Sequence, residues 1–170
     1  MSRLSDRTVL LAFIILLFLN TISAQIFDSE TDIKNPSKIP AGVLRLLRQT
    51  KQVSECVENG GTDEKFDASW FQAARVDLNG DRFTDYVVRN SKDCLNGPRA
   101  ATFWIFRRNA RNFTQVFEDS VLTLSIRKTK TNGFRDLETE TTMMNIIRNR
   151  WKFDGRKYRL RSTKIIDVSR

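Results

Sequence analysis

Two hydrophobic periods divide the chain. From Pro40 onward, Val43, Leu46, Leu47, Val53 and Val57 recur at helical spacing, with Arg45, Arg48, Lys51 and Glu55 on other faces. This predicts one amphipathic helix. It opens at a proline, whose missing N–H is no loss in a first turn, and stops at Asn59-Gly60-Gly61. From Phe71 the period changes to two. Strands are predicted over Phe71–Asp77, Asp85–Arg89, Thr102–Arg108, Phe113–Glu118, Leu122–Lys128, Phe134–Thr141, Asn145–Phe153 and Lys157–Thr163. Asn132-Gly133 and Asp154-Gly155 have the chemistry of tight turns between two of these pairs.

One strand breaks the alternation. Thr102-Phe103-Trp104-Ile105-Phe106 is apolar on both faces, so it should lie centrally and be covered on both sides. Short connections between neighbouring strands favour antiparallel pairing. The expected fold class is α+β: one N-terminal amphipathic helix packed on a largely antiparallel, meander-like sheet of seven or eight strands.

Before Pro40 the pattern is of another kind. Arg3 and Arg7 precede an uncharged apolar run from Val9 to Leu19, and Ile22-Ser23-Ala24 ends in a small residue. These are the parts of a secretory signal peptide over residues 1–24, with the cut expected between Ala24 and Gln25. A run of 11 apolar residues falls short of the roughly 20 that a spanning helix needs, so no transmembrane segment is expected in the mature chain. Residues 25–39 are polar and aperiodic and read as a disordered leader, leaving 40–170 as a single domain. The expected compartment is extracellular or periplasmic. There an even pair of cysteines, Cys56 and Cys94, is expected to form a disulfide.

The formal net charge of the 170 residues is +9, and losing Arg3, Arg7 and Asp6 with the leader makes it +8. Export turns that charge away from nucleic acid and towards an acidic protein or an anionic envelope or extracellular polymer. It is concentrated at the end of the chain. Arg148, Arg150, Lys152, Arg159 and Arg161 alternate with Trp151, Phe153, Tyr158 and Leu160, which predicts a hairpin with one cationic and one aromatic face. A solvated face that blunts an edge strand is the other reading of the same pattern.

One segment has specific chemistry. Asp77-Leu78-Asn79-Gly80-Asp81-Arg82-Phe83-Thr84-Asp85 places side-chain oxygens at positions 1, 3, 5 and 9 of a loop, suited to a hard cation that takes six to eight oxygens. With Val76 before it and Tyr86 to Arg89 after it, the loop resembles the calcium loop of FG-GAP and VCBS-type repeats, D-x-[DN]-G-D-G-x-x-D between two strands. The resemblance covers about residues 76–89. It implies Asp77, Asn79, Asp81, Phe83 (through its carbonyl) and Asp85 as ligands of a structural Ca2+. Arg82 stands where those families have glycine, at a position that usually needs a positive φ. The alternative is a metal-free Asn-Gly-Asp turn capped by its own acids.

The chain has no histidine, which excludes Ser-His-Asp and Cys-His catalysis and nearly all zinc sites. Asp136, Glu138 and Glu140 share a strand face. They could form a hydrolase acid pair but are expected to serve as partners of neighbouring cations. Asn112-Phe113-Thr114 is a glycosylation sequon. The expected function is a secreted or periplasmic, non-enzymatic binding domain with a structural calcium loop. A cationic inhibitor or cell-envelope accessory protein is the alternative, and an acid-pair hydrolase a third.

Overall fold

A computed structural model describes residues 24–59, 65–96 and 100–168. The signal peptide and the Gly60-Gly61 helix stop lie outside the described residues, apart from Ala24. In chain order the elements are β1 (Gln25–Asp28), α1 (Ala41–Arg48), α2 (Lys51–Asn59), β2 (Phe71–Val76), β3 (Asp85–Asn90) and β4 (Ala101–Arg108). Then follow β5 (Phe113–Val121), β6 (Thr123–Thr131), β7 (Phe134–Thr142), β8 (Ile146–Phe153) and β9 (Tyr158–Ile166).

The strands form two antiparallel sheets, β2-β3-β4-β5 and β1-β6-β7-β8-β9. The expected α+β architecture, one helix on one sheet of seven or eight strands, is therefore incorrect: the fold is mostly antiparallel β, with two short α-helices among the described residues. The sheets part company at a single residue. Val121 pairs with Ala101 in the first sheet, whereas Thr123 pairs with Glu140 and Asp28 in the second. Period-two patterning continues through that point because each strand still has one face to bury. A twisted sheet of many strands tends to split into two packed layers, and this one does.

The two-faced strand explains the layering. Phe103 and Ile105 of β4 join Val87, Leu124, Ile126, Leu137 and Phe153 in a core drawn from both sheets. Trp104 and Phe106 join Val43 and Leu47 of α1, Val53 of α2, and Trp70 in a second cluster on the opposite face. All four of these β4 side chains are fully buried, and each such aromatic or aliphatic group contributes about 1.5–3 kcal/mol by leaving water.

Two local departures have identifiable causes. The expected single helix is broken at Gln49-Thr50, where the Thr50 hydroxyl and N–H both donate to the Leu47 carbonyl (2.8 and 3.0 Å). This back-bonding tightens the turn and lets α2 start in a new direction. The segment expected to be a disordered leader begins instead with β1, paired to β6, and Ile33 is buried with its N–H donated to Gln72 Oε1 at 2.8 Å. Four residues at the edge of a sheet are too few to register as a periodic signal.

Cys56 of α2 and Cys94, in the short turn after β3, are disulfide-bonded, with Cα atoms 5.6 Å apart and a sequence separation of 38. A bridge of that span stabilises the fold by about 4 kcal/mol on the chain-entropy model. No described helix is long and apolar enough to cross a membrane.

Candidate functional site

The loop between β2 and β3 closes on itself through its side chains. Asp77 Oδ1 accepts the N–H groups of Asn79 (3.2 Å) and Gly80 (2.6 Å). Asn79 Oδ1 accepts the Asp81 N–H at 3.2 Å, and its amide donates to Asp81 Oδ2 at 2.7 Å. Asp81 Oδ1 in turn accepts the Phe83 N–H at 2.8 Å. Gly80 and Arg82 take φ of 83° and 68°, so the sixth loop position does need the left-handed conformation, and an arginine supplies it.

Asp85 has a separate role. Its side chain is fully buried, and its two oxygens accept the N–H groups of Leu78 (3.2 Å) and Arg108 (2.8 Å). The carboxylate thereby fastens the loop to the end of β4. Burial pushes its pKa up to about 6, opposed by the two N–H groups and assisted by the charges of Asp81 and Asp77.

This arrangement bears on the expected calcium ligands. Oxygens of Asp77, Asn79 and Asp81 are engaged by N–H groups of the loop itself, and Asp85 is turned inward. Among the described residues, no three Cys, Asp or Glu side chains stand together as a cation cage. Each of the engaged oxygens keeps a further lone pair, so accepting an N–H leaves it able to meet a cation as well.

The cationic hairpin is partly neutralised within its own sheet. Glu138 of β7 stands across from Arg150 of β8, and Glu140 across from Arg148. Glu138 lies 3.0 Å from Arg150, 3.4 Å from Arg127 and 3.8 Å from Arg148, and Glu140 lies 2.6 Å from Arg148. Arg159 pairs with Asp154 at 2.9 Å, while Lys152 and Arg161 are exposed. The aromatic face turns inward: Phe153 and Tyr158 are buried, and Trp151 meets Phe117 edge-on at 5.3 Å. Leu160 departs from this face and is half exposed. Asn112 of the sequon is exposed in the turn before β5.

Sequence reasoning missed a second gathering of cations beside the loop. Arg75 of β2, Lys128 and Lys130 of β6, and Arg135 of β7 line one groove together with Arg82. The only forewarning in the sequence is the alternation of Lys128 and Lys130 along one strand. Their meeting with residues some fifty positions earlier depends on how the sheets pack.

No family model, no curated protein and no solved structure matches this chain. The likeness to FG-GAP and VCBS-type loops rests on residues 76–89 alone.

Proposed function

We propose that the chain is a secreted or periplasmic, non-enzymatic binding module that docks an acidic, extended segment of a partner protein along its last strand. The carrying observation is the state of β9. It is an edge strand, paired only to β8, and every side chain from Arg159 to Ile165 is exposed. An edge offers a row of backbone N–H and C=O groups to an incoming strand. Arg159, Arg161 and Lys164 line this edge, and Leu160 and Ile165 provide apolar contact between them. That combination favours a partner with alternating acids and apolar residues, and like charge works against a second copy of the same edge. An inhibitor acting on an acidic protein surface would use the same strand.

The test is an NMR titration with an extended peptide of alternating Glu and Val. Shifts confined to β9 and β8 amides, lost when Arg159, Arg161 and Lys164 are changed to Ser, are expected. Unchanged affinity in that triple variant would remove the reading.

The calcium loop is a second reading, favoured by three acids close enough for Asp77 and Asp81 to act on Asp85. Calorimetric titration with calcium should give heat and a higher melting temperature in the wild type and neither in Asp81→Ala. A wild type that releases no heat and gains no stability dismisses the metal.

A further inference from the structure

The groove beside the 77–84 loop has a volume of about 720 Å³, within the roughly 300–1,000 Å³ of small-ligand sites. Its walls come from separate parts of the chain. One is β2 and the loop; the other is the β6–β7 hairpin, held to the loop by the Arg135 N–H on the Leu78 carbonyl (2.7 Å) and Lys130 Nζ on the Asn79 carbonyl (3.4 Å). Arg75, Arg82, Lys128, Lys130 and Arg135 line it, against Asp77 as the one acid in the lining. Four of these cations are exposed. Arg135 is buried, and its guanidinium is fixed by donation to the carbonyls of Arg127 (2.8 Å) and Ile126 (3.3 Å).

Two further features give the groove a chemical character beyond its charge. Arg82 occupies a left-handed backbone position that is unfavourable for any residue but glycine. Its side chain faces the groove, where glycine would leave nothing to meet an anion. Phe83, the next residue, lines the groove and is 37 % exposed, and Gln25 and Thr84 add neutral polar groups. A bare anion needs no aromatic surface. A sugar ring does use one, because its C–H face packs on a π-face while its hydroxyls find polar partners.

We propose that this groove binds an anionic oligosaccharide, its sugar ring on Phe83 and its sulfate or carboxylate groups on Arg82, Lys128, Lys130 and Arg75. The site is independent of the β9 edge, because β8 and β9 lie beyond β7 on the far side of the second sheet and contribute nothing to the groove.

The test is calorimetry and amide-shift mapping on the whole purified chain with three probes of matched charge. These are a sulfated tetrasaccharide, an oligogalacturonate carrying carboxylates only, and a polyglutamate peptide. At least one sugar should bind, with shifts at Gly80, Arg82, Phe83, Thr84 and Lys130, and the better of the two identifies the anionic group. Lys128→Ser with Lys130→Ser should weaken that sugar about tenfold, the effect of two lost ionic contacts, and make the loss of affinity at higher salt shallower. Phe83→Ala should weaken the sugar and leave inorganic sulfate untouched, and both variants should keep the wild-type melting temperature within a few degrees. Three results overturn the proposal: polyglutamate binding as tightly as either sugar, sugar affinity indifferent to Lys128 and Lys130, or shifts that map to β9.

Discussion

Across β7 and β8 the cations stand opposite acids: Glu140 faces Arg148, and Glu138 faces Arg150 while also reaching Arg127. Beside the 77–84 loop, Arg75, Arg82, Lys128, Lys130 and Arg135 converge on one groove with Asp77 as its one acid. The first group is dense along the chain and largely compensated in space. The second is scattered along the chain and concentrated in space. Charge that is conspicuous in a sequence is thus a poor guide to where a field remains, because antiparallel register can bring an acid opposite every arginine of a strand. Unbalanced charge is left where separate segments meet and a single acid stands among five cations.

The sharpest way to break this contrast is to remove the group that fixes the groove's wall. Asp85 binds the loop to β4 by accepting two N–H groups, one of them buried. Asp85→Ala leaves the buried Leu78 N–H and the partly buried Arg108 N–H without their acceptor and should destabilise the protein by about 2–4 kcal/mol in denaturant unfolding. If anion binding at the groove survives intact in the folded fraction, the wall is not held by Asp85 as described.

How much of this was legible beforehand follows from the same contrast. The strand run from Phe71, the two glycine turns and the buried two-faced strand each depend on neighbours in sequence, and local patterning exposes them. The division into two sheets does not, because it turns on which partner Val121 and Thr123 choose, and nothing in their neighbours along the chain decides that. The same holds for the sites. The loop of Asp77 to Asp85 is contiguous and could be read directly. Its interior hydrogen bonds could not, because the same oxygens suit an N–H or a metal. Lys130 against Asn79 is a contact between residues 51 positions apart, set by packing alone.

A second, smaller effect tests the compensated face. Glu138 is buried and holds three arginines that are themselves a third to two-thirds exposed. Solvent screening reduces each pair, so Glu138→Gln should cost only about 1–2 kcal/mol in thermal unfolding. It should also raise the salt concentration needed to elute the chain from a sulfated matrix, since Arg127, Arg148 and Arg150 would then act outward. Unchanged elution would mean that the acid was not what masks this face.

Smaller still is the effect of restoring glycine at the sixth loop position. Arg82→Gly relieves the positive φ but adds freedom to the unfolded chain, so the two terms should leave stability within about 1 kcal/mol of the wild type. The ligand consequences are opposite in sign. Affinity for an anionic sugar should fall, and affinity for calcium should rise as a competing guanidinium leaves the loop. A variant that changes neither would place Arg82 outside both sites.

The least disruptive probe is pH at the turn that joins β8 to β9. Asp154 accepts the N–H groups of Lys157 and Arg156, each at 2.8 Å through Oδ1, and the Arg159 Nε at 2.9 Å. The Lys157 N–H first, then those of Arg156 and Arg159, hold its carboxyl well below the ordinary 3.8. A carboxyl depressed by folding lends its support fully above that ordinary value, and the support is withdrawn as the pH falls towards the lowered one. Asp154→Asn should therefore fray the hairpin at neutral pH, seen as faster amide exchange at Arg156 and Lys157. The difference from the wild type should shrink only below about pH 3.8. Because Arg159 loses its acid in this variant, β9 should also bind acidic peptide more tightly while the groove's affinity for a sugar stays fixed. Movement of both affinities together would mean that the two cationic regions share one field and do not act as separate surfaces.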